Sequence, residues 1–455
     1  MMLSPASKRI FKLALLTMVG LVMAIAFSFI IPFLLPSAVA QIPATTITEK
    51  VLNMERHLEQ EYEDYFGENL ADVTQTPADI ARTLARVGAE TQTNPAVMWV
   101  MPKRDHLRLV LITARGGAVE RDLYDVTPRI LQRSVQAFRQ EVSNPNRRSP
   151  MVGARQLYRW IIEPYETDYL QAEGIDTLLF CLGKGVRGIP LTALYDGEKF
   201  LVETYSVSRI PAFNLIQTDY QPLEKRQILA MGASEFEAQA PLPAVPTELS
   251  TILWSLETSR RMSDQWNGQT LLNQDFTVAS LQERVESQPF DVVHLATHAE
   301  FRPGSPDQSY IQFWDQRLGL DQTHLVDWDL PPLELLVLSA CRTALGDDTA
   351  ELGFAGLALK AGVKSAIASL WYVSDFGTLS LMSDFYQHLG ITTTKAAALR
   401  EAQLNLLYGR VRVENDQLVL SEGRIDLPSE LHDAGIADLS HPFYWAGFTL
   451  ISSPW

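Results

Sequence analysis

Two stretches decide the fold: residues 290–301, FDVVHLATHAEF, and residues 333–346, LELLVLSACRTALG. Each begins as a nearly continuous apolar run, which is typical of a strand covered on both faces in a parallel sheet. The first run ends at His298 and the second at Cys341. Two residues capable of nucleophilic chemistry therefore follow two predicted strands at the point where each strand ends.

The surrounding sequence alternates between strand-like and helix-like segments. After residue 226 the apolar runs RQILAMGAS and SAIASLW alternate with helical patterns such as VPTELSTILWSLE and TLSLMSDFYQHL. This alternation indicates a parallel sheet with helices on both faces. A second α/β layer precedes it at about 78–225, so we expect two halves, 78–225 and 226–455. In such sheets, reactive groups collect beyond the carboxyl ends of the strands.

The residue types at these strand ends are suited to thiol chemistry. If the two strands are neighbours, their ends lie about 5 Å apart, and His298 could take the thiol proton of Cys341. The sulfur would then attack a carbonyl carbon, and the oxyanion would be held by the backbone N–H groups of Cys341 and Ala299. A structural role stays open, because a lone buried cysteine is often a small hydrophobic residue.

Two similar residues are expected to be structural. Cys181 lies inside the run TLLFCLG with no histidine partner in sequence, and we expect it in the core. His294, four residues before His298, is expected to be a hydrogen-bonded strand histidine rather than a reactive group.

Composition excludes several classes of protein. The chain has 455 residues, of which 46% are hydrophobic and 20% charged, as in ordinary globular proteins. The formal charge of −16 without a long basic run argues against a nucleic-acid surface. Two cysteines cannot form a disulfide scaffold. C-x-x-C, H-E-x-x-H, G-x-S-x-G and P-loop motifs are absent, so we expect neither a metal site nor a cofactor.

The N-terminus carries an export signal. Lys8, Arg9 and Lys12 precede an uncharged apolar run of 23 residues, 13–35, and an A-V-A sequence follows at 38–40. The pattern fits a signal peptide cleaved before Gln41, or a membrane anchor with its basic end inside. Both alternatives for residues 1–40 predict an exported protein, either periplasmic or extracytoplasmic, or anchored in the membrane.

Residues 41–77 are expected to form a helical spacer. The segment TITEKVLNMERHLEQEYEDYFG is charged and has only a weak apolar stripe, which favours a solvated helix over a helix that binds a partner. The segment is too short for the three tandem helical repeats that a solenoid needs.

The ordered motifs resemble a known family. VVHLATHAEF, followed by LVLSACRTALG with Cys341 43 residues after His298, resembles the dyad of the CHAT domain, a clan CD cysteine peptidase family related to caspases and separase. RGIPLTALYDGEKFLVETYSVSRIP upstream, and GFAGLALKAGVKSAIASLWYVSD and HPFYWAGFTLI downstream, resemble the same family over about 78–455. The resemblance implies a caspase-like three-layer sandwich: a mostly parallel six-stranded sheet flanked by helices, preceded by a degenerate related α/β half.

The resemblance also implies roles for the two strand-end residues. His298 corresponds to the general base and Cys341 to the nucleophile of a peptidase that acts on a protein or peptide substrate. The family usually has glycine after the histidine, whereas here it is Ala299, whose methyl group could crowd a strained turn. A catalytically silent interaction or signalling module is therefore the alternative. A thiol-redox protein is less favoured, since no resolving cysteine lies near Cys341 in sequence.

A carboxylate near the predicted site concerns specificity. The loop YVSDFGT after SAIASLW contains Asp375, which either lies at the base of a pocket for a substrate Lys or Arg side chain, or caps a helix that starts near Gly377. Asp347 and Asp348, in the loop after Cys341, are alternative pocket acids.

Overall fold

The described part of the chain is built around one large twisted sheet. The computed structural model describes residues 44–70, 72–147, 151–222, 226–258, 266–326, 333–343, 345–432 and 438–455. Within these ranges the backbone alone is described for residues 44–46, 226, 256–258, 324, 325 and 341. The predicted signal peptide or anchor lies outside the described residues. No helix in the described ranges is long and apolar enough to cross a membrane.

Most of the strands belong to this sheet, and the three strands within residues 412–426 form a separate meander. In chain order they are β1 (Pro95–Pro102), β2 (Leu107–Thr113), β3 (Ala118–Leu123), β4 (Thr177–Leu182), β5 (Ser206–Ile210), β6 (Arg226–Gly232), β7 (Trp266–Leu272), β8 (Val292–Phe301), β9 (Tyr310–Gln312), β10 (Arg317–Gly319), β11 (Leu335–Thr343), β12 (Ser365–Ser369), β13 (Arg412–Glu414), β14 (Gln417–Val419), β15 (Arg424–Asp426) and β16 (Phe448–Ser452).

The α-helices of at least four residues alternate with these strands. In chain order they are α1 (Ala44–Phe66), α2 (Pro77–Thr91), α3 (Pro128–Val142), α4 (Val152–Ile161), α5 (Val245–Thr258), α6 (Val278–Ser287), α7 (Asp348–Ala355), α8 (Leu357–Ala361), α9 (Asp375–Leu389), α10 (Lys395–Leu407), α11 (Ser429–His432) and α12 (Pro442–Trp445).

The sheet joins the two predicted halves edge to edge. In the C-terminal half the described strand order is β7-β6-β8-β11-β12-β16, parallel except for β16, which runs antiparallel to β12. This is the mostly parallel six-stranded arrangement that the sequence predicts. The N-terminal half continues the same sheet as β5-β4-β1-β2-β3, since β16 pairs with β5 in parallel. The last strand of the chain therefore links the two halves.

Helices cover both faces of the sheet. Every residue of β4, β12 and β16 is buried. Successive side chains of a strand point to opposite faces, so continuous burial means that both faces are covered. The three-layer α/β architecture predicted from the sequence is confirmed.

The helix α1 differs from the solvated spacer that the sequence predicts. Val51, Met54, Leu58 and Tyr62 form a fully buried stripe along one face of this helix. Glu55, also fully buried, lies on the same helix, and its carboxylate accepts hydrogen bonds from distant groups that include the Trp99 indole N–H at 2.7 Å. The prediction of a solvated helix is wrong, because the charge that indicated solvent exposure has its partners inside the protein.

One predicted strand is shorter than its apolar pattern. FLVETYSVSRI reads as one strand, but residues Leu201–Glu203 form a 3-10 turn and only Ser206–Ile210 form β5. The carbonyl oxygens of Val202 and Glu203 accept hydrogen bonds from the Arg400 guanidinium of α10, both at 2.7 Å. They bond to a helix side chain instead of a neighbouring strand.

Candidate active site

The two strands that carry the candidate dyad are parallel neighbours. In the register of β8 and β11, Ala340 lies beside His298 and Cys341 lies beside Ala299. The backbones of His298 and Cys341 are therefore on adjacent strands, one position apart, at the carboxyl end of the sheet. The Cys341 side chain lies outside the described part of the structure.

An irregularity in β8 sets this register. Leu295 lies opposite Leu338, whereas His298 lies opposite Ala340, so β8 contains one more residue than β11 between these two pairs. A regular ladder would place His298 directly beside Cys341. Bulges of this kind bend a strand and change the direction of nearby side chains, and they occur often next to active sites. The bulge could not be deduced from the apolar pattern.

Both strands continue beyond the residues that the sequence predicts as their ends. β8 extends to Phe301 and β11 to Thr343. Ala299 lies inside the strand, 2% exposed, between Cys341 on one side and Ile311 of β9 on the other. The expected strained turn at Ala299 is thus replaced by extended strand geometry. The cause is the hairpin β9–β10, which the sequence analysis missed and which pairs with the end of β8.

The His298 ring is oriented by a backbone carbonyl. Its Nε2 lies 2.8 Å from the carbonyl oxygen of Ala240. A carbonyl oxygen only accepts hydrogen bonds, so Nε2 carries the proton. In the neutral ring Nδ1 then has the free lone pair. His298 is consequently in the tautomer that can accept a proton at Nδ1.

Two aromatic rings flank His298. The Phe236 ring centroid lies 4.7 Å from that of His298, and the Tyr372 ring lies 6.4 Å away at an interplanar angle of 28°. Phe236 also lines a cavity of about 420 Å³. The other residues around this cavity include one aromatic and three acidic residues: Trp314, Glu235, Glu237 and Asp315.

Asp375 anchors the loop that orients His298. Its Oδ2 accepts a hydrogen bond of 2.6 Å from the backbone N–H of Ala244. The same loop is closed by a 2.9 Å bond from Leu242 N to the carbonyl oxygen of Ser234, and it supplies the Ala240 carbonyl. The first residue of α9 is thereby connected to the His298 ring through the backbone of residues 240–244. Neither Ala240 nor this connection has a local signal in the sequence.

The capping role considered for Asp375 is contradicted by the structure. α9 begins at Asp375 itself, and the cap is Ser374, whose hydroxyl oxygen accepts the Gly377 N–H at 3.2 Å. Burial raises the pKa of Asp375 from 3.8 to about 7; the Ala244 N–H opposes this rise and the Glu248 carboxylate adds to it. A carboxyl group that is half ionised near neutral pH is common at functional sites.

The alternative pocket acids have structural partners. The Asp347 carboxylate caps α7 by accepting the N–H groups of Thr349 and Ala350 at 3.0 and 3.1 Å. The Thr349 hydroxyl bond is the main reason that the pKa of Asp347 is lowered. Asp348 forms an ion pair of 2.9 Å with Lys184 in the N-terminal half. Both carboxylates are therefore engaged in holding this loop.

The two residues expected to be structural are buried. His294 is fully buried, with Nε2 2.9 Å from Glu248 Oε1 and Nδ1 3.1 Å from the Tyr386 hydroxyl. Cys181 is also fully buried, and burial raises the pKa of its thiol well above the usual value. Both predictions are confirmed. Across the described ranges, no group of three or more His, Cys, Asp or Glu side chains is arranged to hold a metal ion.

Comparison with solved structures gives distant likenesses. Two structures of the Saccharomyces cerevisiae separase–securin complex, at 2.6 and 3.0 Å resolution, each match this chain with a TM-score of 0.46, at 9% and 10% sequence identity. The matches cover 90% and 82% of this chain but 34% and 30% of the other, so this chain spans about a third of that length. Such values carry no information on activity or partners.

Sequence comparison identifies the family. No curated protein matches the sequence. The family model described as "CHAT domain" matches residues 153–453. That match includes β8, β11 and the strands that follow them, and it contains both candidate dyad residues. The chain therefore belongs to the CHAT domain family.

Proposed function

We propose that this protein is a cysteine endopeptidase in which His298 is the general base and Cys341 is the nucleophile. The observation that carries the proposal is the pair of adjacent parallel strands, which brings the backbones of these residues to neighbouring positions. The Nε2 bond to the Ala240 carbonyl supports it, since that bond leaves the Nδ1 lone pair for proton transfer.

The proposed reaction has two steps. His298 Nδ1 takes the proton of the Cys341 thiol, and the sulfur attacks the carbonyl carbon of the substrate peptide bond. The imidazolium gives its proton to the leaving amine, and a thioester forms. Water, deprotonated by Nδ1, then attacks the thioester and releases the acid and the thiol. The proposed donors to the oxyanion are the backbone N–H groups of Cys341 and Ala299.

We further propose that the enzyme prefers to cut after Lys or Arg. Asp375 would supply the carboxylate of the pocket, and a charge-assisted bond to a substrate cation would favour its ionised form. The preference should then strengthen as the pH rises through neutrality, because burial raises the pKa of Asp375 to about 7. Profiling on one peptide library should show that Asp375→Asn loses the basic preference at least tenfold. Unchanged selectivity would remove Asp375 from the pocket.

The proposed place of action is outside the cytoplasm. Residues 13–35, with the basic residues before them, would direct export or anchor the protein in the membrane. The substrates would then be exported or surface proteins or peptides. Fractionation of cells expressing the full chain tests this, and recovery in the cytoplasmic fraction alone would contradict it.

Labelling with an electrophilic peptide probe tests the dyad. We expect stoichiometric modification of the full chain at Cys341, its loss in His298→Ala, and its retention in Cys181→Ala, which serves as the matched control. Labelling that persists in His298→Ala would remove the general base. A folded protein with no labelling and no peptide cleavage would favour the alternative, a silent CHAT fold that acts as an interaction module.

A further inference from the structure

A buried carboxylate joins the N-terminal half to the loop that follows the candidate nucleophile. Glu351 lies on α7 and is 2% exposed. Its Oε2 accepts the Gly188 N–H at 3.0 Å, and its Oε1 accepts the Gly346 N–H at 2.8 Å. The Arg139 guanidinium of α3 also pairs with Oε1.

The two glycines lie on opposite sides of this contact. Gly346 closes the turn between β11, which carries Cys341, and α7, and its φ of +95° is in the region that favours glycine. Gly188 lies in the N-terminal half, in the loop after β4. A Cβ atom there would come within 2.4 Å of Glu351 Oε1, so only glycine allows the carboxylate to approach. The contact is built from both halves.

The Asp347 cap and the Asp348–Lys184 ion pair also hold this turn, and both carboxylates are more exposed than Glu351. Beside the Glu351 carboxylate lies a cavity of about 620 Å³, lined by residues that include Arg139, Lys184, Leu345 and Gly346. Leu345 is only partly covered and Gly346 is exposed. Gly346 has no side chain to pack here, so hydrogen bonds hold its backbone, and a buried carboxylate with several donors is strong enough to do so.

We propose that Glu351 is a positioning residue, through which the N-terminal half holds the turn after Cys341 in the geometry that catalysis needs. This inference rests on the proposed peptidase function. The N-terminal half then has a direct role at the site: Gly188 binds Oε2 of the carboxylate and Arg139 binds Oε1, the oxygen that also holds the Gly346 N–H. The backbone of Cys341, five residues before Gly346, keeps its place because the turn cannot relax into the cavity.

The variant Glu351→Gln tests this role with little change of volume. The Gln amide keeps one acceptor oxygen but turns an NH₂ group toward the second N–H donor, so it cannot hold Gly188 and Gly346 together. We expect kcat to fall at least tenfold with KM within threefold. Alkylation of Cys341 by iodoacetamide should slow at least fivefold, and amide exchange of residues 342–352 should rise at least tenfold.

Glu141→Gln is the matched control. The Glu141 carboxylate is also buried and accepts two backbone N–H groups, those of Gly153 and Ala154, at 3.0 and 3.3 Å, but within the N-terminal half. We expect it to lose a similar amount of thermal stability while kcat, alkylation and exchange at 342–352 stay within twofold. Arg139→Gln removes one partner of Glu351. It should change kcat, alkylation and exchange in the same directions as Glu351→Gln does, and it replaces Glu351→Gln in the test if that variant does not fold.

Three outcomes would overturn the inference. The first is that kcat, the alkylation rate of Cys341 and amide exchange at 342–352 stay within twofold of the unchanged protein in Glu351→Gln. The second is the same result in Arg139→Gln, where Glu351→Gln does not fold. The third is that the Glu141→Gln control changes these three quantities as much as Glu351→Gln does. If the unchanged protein cleaves no peptide, the proposed function fails on its own. Alkylation and amide exchange then still decide whether Glu351 positions the turn, since neither needs peptidase activity.

Discussion

Replacing Asp375 by Asn should stabilise the protein above neutral pH. The Asp375 carboxyl lies at the start of α9 with a pKa raised to about 7, mainly by burial. Glu248 and Tyr372 are ionisable groups near it. The buried Glu248 carboxylate adds to the rise in the pKa of Asp375, while burial and then the charge of Asp375 raise the pKa of the Tyr372 phenol. An Asn side chain keeps an oxygen that can accept the Ala244 N–H and has no charge to desolvate.

The sign follows from proton linkage. The folded-state pKa of Asp375 is raised above its unfolded value, so the folded state binds this proton more tightly, and the free energy of unfolding falls as the pH rises from about 4 through 7. The pKa of Asp375 in the folded protein is about three higher than its ordinary value, and this full difference corresponds to about 4 kcal/mol. Between pH 5 and pH 8 the advantage of Asp375→Asn should grow by about 2–3 kcal/mol, which corresponds to about 2–4 °C in Tm for a chain of this size.

Thermal unfolding of both proteins at matched pH values between 5 and 8.5 measures this growth, because other titrating groups cancel in the difference. Asp347→Ala is the control. It removes a helix cap and should cost about 1 kcal/mol. The pKa of Asp347 is lowered, so this carboxylate is ionised in both states throughout the range and its cost should not change with pH. An Asp375→Asn protein that gains no stability between pH 5 and pH 8 would refute the reasoning.

Three further predictions concern other parts of the chain. Cys341→Ala or Cys341→Ser should abolish peptide hydrolysis with the circular dichroism spectrum unchanged, whereas Cys181→Ala should keep most of it; equal losses would contradict the dyad. The mature protein should start at Gln41 by N-terminal sequencing, and an intact N-terminus in the membrane fraction would mean a retained anchor. Glu55→Ala should lower the free energy of unfolding in urea by about 3–5 kcal/mol, because several buried donors, the Trp99 indole N–H among them, lose their acceptor; a loss under 1 kcal/mol would contradict this.

The sequence by itself determined the parallel sheet and the positions of the candidate dyad at the ends of two of its strands. Strands covered on both faces need apolar residues at consecutive positions, and β8 and β11 have them. Cys181 and His294 were recognisable as structural, since each lies within an apolar run. These features are local, because periodicity and composition over about ten residues are enough to specify them.

The burial of α1 shows where local patterns fail. Glu55 reads as a solvated charge because it lies in a helical segment rich in charged residues, directly before Arg56. Its donors include the Trp99 indole N–H, 44 residues away, and the backbone N–H of Asn214, 159 residues away. A pattern within one helix contains no information on such partners, so the helix was predicted to face solvent.

At the site, only the tertiary structure decided how the chemistry is arranged. His298 is oriented by the carbonyl oxygen of Ala240, 58 residues earlier, the hairpin β9–β10 places Ala299 inside a strand, and Asp375 holds a loop instead of capping its helix. Each of these depends on hydrogen bonds between segments far apart in the chain. Such bonds form only after the sheet has brought the segments together, whereas the apolar runs that build the sheet are already present in the sequence.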